Sequence, residues 1–472
     1  MRQLSGLDAE FLSMESERVY AHVGSLCVLD PSTAPRPLTL AQLTGHIASR
    51  AHLLPLLRHT LVTVPFGLDQ PYWIDGPEPD LSYHVREVAL PAPGDDHQLS
   101  VEVARLHARA LDRSRPLWEI YLITGLQGGR AAVYSKIHHA AMDGVSGDDV
   151  LAALLDLSPE GRTVPPSPAP VQEQPPGALH LLALGVVSIL RQPGHAVRFA
   201  AGLLRSGPSV AVVAADRVPA LDRWRHHGVT APRPGLHAPH TPFNATISAQ
   251  RRFAFTDLPL TQVKQVKDRA GLTVNDVVMA LCAGALRRWL EAHDALPDQP
   301  LVAAVPVSIR AGGANGSAGN QVSALFAVLP TDLPTPAERL KSAAAAMDAA
   351  KADHGAIPPN LIGDAAGFAL PVLADPGWKV LAELRLLERL NIYNLFISNV
   401  PGPRVPLYYA GALLVAYYPL SAIADGQGLN ITVMSYRDRL CFGLVACRTL
   451  VPDLEQLAGW LGDELALMLE QS

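Results

Sequence analysis

The 472-residue chain contains little cysteine, and no two of its cysteines form a Cys-x-x-Cys pair. Cys27, Cys282, Cys441 and Cys447 each lie in an apolar stretch. Disulfide frameworks and structural zinc sites use paired or regularly spaced cysteines, so we expect four buried, reduced thiols. This usage is typical of a cytoplasmic protein.

Charge is also scarce, because charged residues make up 17% of the chain and hydrophobic residues 49%. Such a composition is typical of a protein that meets a lipid, a membrane surface or an obligate partner. Basic residues are outnumbered, giving a net charge of −6, whereas nucleic-acid-binding proteins usually carry a basic face. We therefore expect no nucleic-acid partner, although a local basic pocket for a phosphorylated ligand is compatible with this net charge.

Long apolar runs are missing as well. The N-terminus has no apolar signal core, and the longest apolar stretch, at about 178–190, is shorter than the roughly 20 residues of a membrane span. We expect no transmembrane helix. A second helical segment at 196–204, with Arg198 and Arg205 beside apolar residues, has the pattern of a helix lying on a lipid surface. Two helices packed across a domain interface would explain these segments equally well.

The length predicts two or three domains, and proline-rich segments indicate their limits. Residues 159–177 form a proline-rich linker, and a loop rich in proline and histidine occupies 226–242. We predict an N-terminal domain at 1–158, a partly helical connector at 159–245 and a C-terminal domain at 246–472. Each half mixes strands and helices, so the predicted fold class is α/β (α+β).

Local patterns place the main elements. Ser146 with Asp149, and Thr273 with Asp276, are capping boxes that each open a helix. Apolar periodicity predicts further helices at 99–111 and 454–468, strands at 117–126, 131–137, 301–309 and 394–398, and a hairpin of strands 429–435 and 440–447 around Arg437-Asp438.

The segment richest in chemistry follows the predicted strand at 131–137, where His138 and His139 precede Asp143-Gly144. Neighbouring side chains of an extended chain point to opposite faces, so one of the two histidines is expected to act as a base. Histidine suits this role because its pKa lies near neutral pH. Gly144 permits a positive φ where the chain turns into the next helix. Opposed histidines and the lack of an HExxH motif argue against a metal site.

Residues 138–144, HHAAMDG, match the HHxxxDG motif of the bacterial wax ester synthase/diacylglycerol acyltransferase family. Further blocks resemble that family in order along nearly the whole chain: LSGLDAEFL at 4–12, HVG at 22–24, PLW at 116–118, NDVVMA at 275–280, PVSIR at 306–310, GN at 319–320 and SNVPGP at 398–403. Met279 departs from the usual leucine. HHxxxD alone is shared by coenzyme A-dependent acyltransferases and peptide-synthetase condensation domains. The further blocks, in this order along the chain, are what make the resemblance to the wax ester synthase/diacylglycerol acyltransferase family specific.

The resemblance implies two chloramphenicol-acetyltransferase-like domains with a reaction tunnel between them. It implies acyl-CoA as the co-substrate, without another cofactor, and diacylglycerol or a long-chain alcohol as the acceptor. On the family pattern His139 is the general base, which takes the hydroxyl proton as the oxygen attacks the thioester. A ternary complex without an acyl-enzyme is implied, and the chain has no GxSxG nucleophile elbow.

The remaining motif residues of the first half have supporting roles. His138 is expected to face the core. Asp143 is expected to be a scaffold residue that pairs with Arg310, as the superfamily pattern implies. The PLW block is expected to pack the strand entrance, and the alternative is a direct contact with the acyl chain. These residues are Pro116, Leu117 and Trp118.

In the second half, capping explains Asp276 beside Asn275. Ser398, Asn399 and Gly402 form either a plain turn or part of the tunnel lining. The oxyanion donor is not evident from the sequence. Its candidates are backbone N–H groups near Gly144 and the side chains of Ser398 and Asn399.

Two other functions compete with lipid O-acyl transfer. A condensation or acyl-shuttling enzyme would use carrier-protein thioesters, but the blocks at 275–280 and 306–310 favour the lipid family. A lipid-binding scaffold without activity would be expected to lose His139 or Gly144, and both are present. We expect peripheral association with a membrane or lipid-droplet surface. Acceptor preference, acyl chain length and oligomeric state, a homodimer included, are left open.

Overall fold

Two mixed six-stranded β-sheets organise the chain in the computed structural model, which describes residues 1–142, 147–165, 173–188, 237–308, 322–355 and 391–471. The strands are β1 (Arg2–Gln3), β2 (His22–Asp30), β3 (His59–Val62), β4 (Tyr72–Asp75), β5 (Val85–Ala89), β6 (Trp118–Thr124), β7 (Ala131–His138), β8 (Arg251–Pro259), β9 (Leu301–Ser308), β10 (Val322–Leu329), β11 (Leu395–Val400), β12 (Tyr408–Tyr409), β13 (Ala412–Leu420), β14 (Leu429–Tyr436) and β15 (Arg439–Cys447).

The helices pack on these sheets and bury their apolar faces against them. They are α1 (Gly6–Ser13), α2 (Leu40–Arg50), α3 (Leu81–His84), α4 (Asp96–His107), α5 (Gly147–Leu154), α6 (Ala178–Ser188), α7 (Leu260–Ala270), α8 (Val274–Ala292), α9 (Pro336–Gly355) and α10 (Leu454–Gln471). Two hydrophobic cores result, one for each sheet. The predicted α/β class with two domains is confirmed.

The first sheet has the order β12-β13-β2-β7-β6-β5. Only the β5–β6 pair of this sheet is parallel. β7 lies in the middle, so both of its edges are hydrogen-bonded and its C-terminal end is held in a fixed position. His138, the last residue of β7, pairs with His22 of β2. A small third sheet, β1-β4-β3, lies beside this domain.

The second sheet has the order β10-β9-β11-β14-β15-β8, and β11 runs parallel to both of its neighbours. The predicted hairpin is confirmed, with β14 and β15 joined at Arg437-Asp438. The predicted capping box is also confirmed, because Thr273 and Asp276 exchange side-chain hydrogen bonds with each other's backbone at the start of α8. Most of α8 is apolar and buried, as expected for the central helix of a domain core.

The sheets do not follow the predicted division of the chain at 158 and 245. β12 and β13 come from the C-terminal half, yet they complete the first sheet, with Leu420 opposite Gly24 and Leu413 opposite Asp30. The reason is that β13 covers the edge of β2, whose backbone N–H and C=O groups would otherwise lack partners. The alternation of buried and exposed side chains along 412–420 predicts a strand, but it does not show which of the two sheets that strand joins.

β13 is also where the two sheets touch. A Cβ added to Gly443 of β15 would lie 1.8 Å from the backbone oxygen of Pro419, so only glycine allows this approach. The Tyr418 hydroxyl donates to Asp257 at 3.0 Å, and the Tyr436 hydroxyl donates to the Leu414 carbonyl at 3.0 Å. Backbone contact and buried hydrogen bonds therefore fix one sheet against the other.

The connector is described only in part. The first predicted helical segment is α6, whose Leu181 packs with Val64 and Tyr72, while Ser188 donates to Asp69 at 2.8 Å. The second segment, at 196–204, lies outside the described residues. So does Ser146, the predicted cap of α5.

The cysteines and the apolar helices were both subjects of expectations from the composition. All four cysteines are buried and free, as predicted. Among the described helices, none alone has the length and apolarity to cross a membrane; α7 and α8 reach that threshold only as a pair, bent by 104°. Since most of α8 is buried in the second core, this pair is accounted for by the fold.

Candidate active site

The two motif histidines lie where β7 gives way to a single 3₁₀ turn, His139–Met142, called here the histidine turn. The backbone N–H of His139 donates to the Ala21 carbonyl at 2.8 Å, which continues the pairing of β7 with β2. His138 is fully buried at 0% exposure, whereas His139 is partly exposed. The two rings therefore occupy different surroundings, as alternation along a strand predicts.

The His139 ring stacks on Phe11 of α1, with ring centroids 4.0 Å apart and planes inclined by 26°. Its Nδ1 atom is buried and has no hydrogen-bond partner among the residues that the structure describes. Burial lowers the pKa of His139 to about 4, with a smaller contribution from the neighbouring His138 ring, although its own backbone carbonyl favours the protonated ring. The ring is thus neutral at neutral pH, which is the form that can accept a proton.

His138 has a defined tautomer. Its Nδ1 accepts a hydrogen bond from the backbone N–H of Ala140 at 3.1 Å, so the ring hydrogen is assigned to Nε2. That Nε2 lies 3.2 Å from a carboxylate oxygen of Glu15, within ion-pair distance but without hydrogen-bond alignment. His138 is therefore placed to hold the turn, and the prediction that it faces the core agrees with its burial.

Glu15, just after α1, is a carboxylate surrounded by donors. One oxygen accepts the Ala21 N–H at 3.0 Å, and the other accepts the Arg113 guanidinium at 2.8 Å. Burial raises the pKa of Glu15, but His138, Arg113 and the Ala21 N–H outweigh this effect and lower the pKa to about 2. Glu15 is therefore charged at neutral and mildly acidic pH.

Ala21 connects Glu15 to His139. Its N–H is held by the Glu15 carboxylate, while its carbonyl receives the His139 N–H. Phe11 of α1 and Glu15, which follows α1, thus position His139. Glu15 cannot be recognised from the sequence, because its partners Arg113 and His138 lie far away along the chain.

A buried ion pair supports the sheet next to the histidines. Lys136 of β7 lies 3.0 Å from Glu119 of β6, and its ammonium also donates to the Arg109 carbonyl at 2.9 Å. The Tyr121 hydroxyl donates to Glu119 at 2.8 Å. Burial lowers the pKa of Lys136, and Glu119 opposes this shift. The pair ties the end of α4 to the sheet, because Arg109 follows that helix.

The PLW block supports the same strand. The Leu117 carbonyl accepts the His138 N–H at 2.9 Å. The Trp118 indole donates to the Leu57 carbonyl at 3.0 Å and stacks on His84 with centroids 4.3 Å apart. Leu117 and Trp118 are each 1% exposed, so they pack the strand entrance beside half-buried Pro116.

The second-half motif residues form a separate group. The Asn399 side chain of β11 donates to the Asn275 side chain at 3.3 Å, beside half-buried Ser398 and the capping residue Asp276. Gly402 fits closely, since an added Cβ would lie 2.1 Å from the Ser435 carbonyl oxygen. Within the described part of the chain, no hydrogen bond or ion pair links Asn275 or Asn399 to the histidine turn.

Several predicted site residues lie outside the described residues. They are Asp143, Gly144 and Arg310. The predicted Asp143–Arg310 pair and the backbone oxyanion donors near Gly144 stay predictions for this reason.

An apolar pocket of about 110 Å³ adjoins the histidine turn. Met142 ends the turn and lines the pocket, together with Ile137 just before the histidines. Val23, Leu151 and Tyr417 add further apolar surface from β2, α5 and β13. A hydrocarbon chain is the kind of group that such a wall accommodates.

Comparison with known proteins is consistent with this geometry. Residues 4–278 match the family model of the wax ester synthase/diacylglycerol acyltransferase catalytic domain, and residues 318–469 match the model of that family's C-terminal domain. A putative diacylglycerol O-acyltransferase of Mycobacterium tuberculosis is 37% identical, covering 100% of this chain and 91% of the relative. A probable diacylglycerol O-acyltransferase of the same species, tgs2, is 37% identical and covers 97% of this chain and 96% of its own length.

Solved structures agree. The wax ester synthase/diacylglycerol acyltransferase from Marinobacter aquaeolei VT8 superimposes with a TM-score of 0.71 at 30% identity, covering 100% of this chain and 99% of that one. The first condensation domain of the calcium-dependent antibiotic synthetase, at 16% identity and a TM-score of 0.54 over 99% of this chain and 96% of that one, shares the fold. The resemblance inferred from the ordered sequence blocks is confirmed, and the chain belongs to the wax ester synthase/diacylglycerol acyltransferase family of enzymes.

Proposed function

We propose that this chain transfers a long-chain acyl group from acyl-CoA to the hydroxyl group of diacylglycerol or a fatty alcohol, giving triacylglycerol or a wax ester. The observation that carries the proposal is a neutral, partly exposed His139 held at a strand end, in a turn whose last residue, Met142, lines an apolar pocket. The names of the relatives support both acceptors. Acyl-CoA enters as a co-substrate, and the reaction uses no other cofactor.

In the proposed reaction His139 removes the proton of the acceptor hydroxyl as the oxygen attacks the thioester carbonyl carbon. The resulting tetrahedral oxyanion collapses, the carbon–sulfur bond breaks, and the proton passes to the leaving thiolate. An ester and free coenzyme A result, without an acyl-enzyme. Phe11 and the Ala21 carbonyl hold the base in place, so that its orientation costs little at the moment of reaction.

We further propose that the protein contacts a lipid surface through one side of the connector. Phe66 is 81% exposed, and Leu179 and Val186 of α6 are 84% and 53% exposed. Gly185 packs on Leu68, two residues from Phe66, so these apolar side chains belong to one region of the surface. Exposed apolar groups gathered in this way favour insertion into a membrane or a lipid droplet. The homodimer stays a prediction.

A carrier-protein thioester is the alternative donor. The condensation domain shares only the fold with this chain, so it does not favour that donor. The sequence blocks of the second half favour acyl-CoA instead.

The acyltransferase proposal is tested with purified protein, radiolabelled palmitoyl-CoA and either diacylglycerol or hexadecanol, followed by thin-layer chromatography. We expect labelled ester, and a loss of about 10²-fold or more in rate for His139→Ala, because a general base contributes about 10²–10⁴-fold. The two acceptors, compared in parallel, give the acceptor preference. Folded wild-type protein that makes no ester would exclude the proposal, and an undiminished mutant would exclude His139 as the base.

The pH dependence of kcat/KM reports on the same ring. Because the pKa of His139 is lowered to about 4, the ring is protonated and inactive only below that value. We expect kcat/KM to stay level from about pH 7 down to pH 5 and to fall near pH 4. Circular dichroism at each pH separates this titration from acid unfolding. An acid limb near pH 6.5, the ordinary value for histidine, would contradict the assigned environment.

Glu15→Gln tests the positioning role of the carboxylate. The amide keeps the size of the side chain but loses the charge that faces His138 and Arg113. We expect kcat to fall about 10–100-fold with little change in KM for acyl-CoA, since charge-assisted hydrogen bonds contribute about 1.5–3 kcal/mol. Glu17→Gln, an exposed change in the same segment, is the matched control. Equal kcat values for both variants would refute the role.

Membrane contact is tested by flotation with phospholipid vesicles. Phe66→Asp combined with Leu179→Asp places charges where the exposed apolar side chains lie, so we expect the floated fraction to fall severalfold while transfer to dispersed substrate persists. Exposed Leu157→Asp, outside the connector segment that contains α6, serves as the control. Unchanged flotation of the double variant would rule out this surface.

A further inference from the structure

A cavity of about 320 Å³ lies between α4 of the first domain and β8 of the second. Four arginines line it, Arg105 from α4, Arg251 and Arg252 from β8, and Arg448 after β15. Glu455 is the one carboxylate in the lining. In a chain with a net charge of −6, this is a local concentration of positive charge, and we call it the arginine cavity.

Carboxylates offset only part of this charge. Arg105 pairs with Glu102 on α4, outside the lining, and Arg252 pairs with Glu455 at 3.2 Å, while the buried Arg252 Nε has no hydrogen-bond partner among the described residues. The exposed Arg448 side chain makes no ion pair with the described residues. One lining carboxylate and one nearby carboxylate are thus paired with two of the four arginines, which leaves the cavity with a positive balance.

Arg251 is the most informative of the four because it is only 6% exposed. Its guanidinium donates to the carbonyls of Ser248 and Arg18, each at 2.6 Å, and lies 5.2 Å from the Tyr20 ring centroid. Carbonyl oxygens satisfy its N–H groups but do not neutralise its charge. Among the described residues no carboxylate lies within ion-pair distance of Arg251, although Asp425, which pairs with Arg18, acts on it from farther away. A buried cation without a direct carboxylate partner is costly, and a bound anion would lower that cost.

One short segment of the chain connects the arginine cavity to the histidine turn. Arg251 holds the Arg18 carbonyl, and three residues later Ala21 receives the His139 N–H. From the α4 side, the His107 carbonyl lies 2.7 Å from Nε2 of His22, which pairs with His138. A ligand in the cavity therefore contacts α4 and β8, the two elements that hold the segment next to the histidine turn.

We propose that the arginine cavity binds the phosphate groups of the coenzyme A moiety of the acyl donor. Coenzyme A carries a diphosphate and a separate 3′-phosphate, so several guanidinium groups can engage it at once. Planar guanidinium groups match phosphate oxygens in pairs, which favours arginine over lysine for this task. The inference rests on the proposed function, since it assigns a place to the donor of that reaction.

Free coenzyme A allows a test that needs no turnover. Binding is measured by titration calorimetry for the wild-type protein, Arg448→Ala, and Arg105→Ala combined with Arg448→Ala. Arg36→Ala, an exposed arginine outside the cavity lining, is the matched control. We expect Kd to rise about fivefold to tenfold for Arg448→Ala and further for the double variant, as charge-assisted hydrogen bonds are lost. The control keeps the wild-type Kd.

Steady-state kinetics add a second readout. With palmitoyl-CoA, we expect the double variant to raise KM severalfold with a small change in kcat. With the palmitoyl thioester of N-acetylcysteamine, which has no phosphate, the change in KM should be much smaller. Equal effects on both donors, or cavity variants that bind coenzyme A as the wild type does, would overturn the proposal.

The outcomes separate this inference from the proposed function. Arginine-dependent binding of coenzyme A without any ester formation would leave the cavity assigned and reject acyl transfer. Ester formation that does not change when the cavity arginines are substituted would support the acyltransferase activity and reject the cavity as the coenzyme A site. Arginine-dependent binding to phosphatidic acid vesicles, with no binding of coenzyme A, would reassign the cavity to a lipid headgroup.

Discussion

The charged carboxylate of Glu15 holds together the segments on which the histidine turn depends. It receives the Ala21 N–H and Arg113, and it faces the ring of His138. Each contact alone is modest, but hydrogen-bonded charges in a network act together, since removal of one member leaves its partners without that bond. The histidine turn is thereby positioned by an N-terminal helix as much as by its own strand.

Sequence reasoning located the histidine turn, the capping box of α8 and the β14–β15 hairpin, because each is encoded within a few residues. Strand alternation predicted that His138 and His139 face opposite ways, and the family resemblance implied that His138 is the ring in the core. Sequence reasoning did not find Glu15 or the arginine cavity, because their residues meet only after α1, α4 and β8 have packed together. The role of such a charged residue depends on the residues that surround it in the folded protein, which the local sequence does not specify.

The sequence could not predict that β13, a strand of the C-terminal half, joins the first sheet, and the reason is related. Its pattern is that of a strand with one buried face, and such a strand suits either sheet. The open edge of β2 and the close contact at Gly443 determine which sheet β13 joins, and both arise only in the tertiary structure. The domain limits drawn from proline content divide the chain at its linker, whereas the sheets divide it elsewhere.

The placement of β13 has a consequence for biosynthesis. A ribosome makes the chain from the N-terminus, so the first sheet lacks its β13 edge until residues 412–420 have emerged. Until then β2 presents an unpaired edge, the kind of surface at which nascent chains associate wrongly. The sheet that carries the histidine turn is therefore completed only after β8, β9, β10 and β11 of the second sheet have been synthesised.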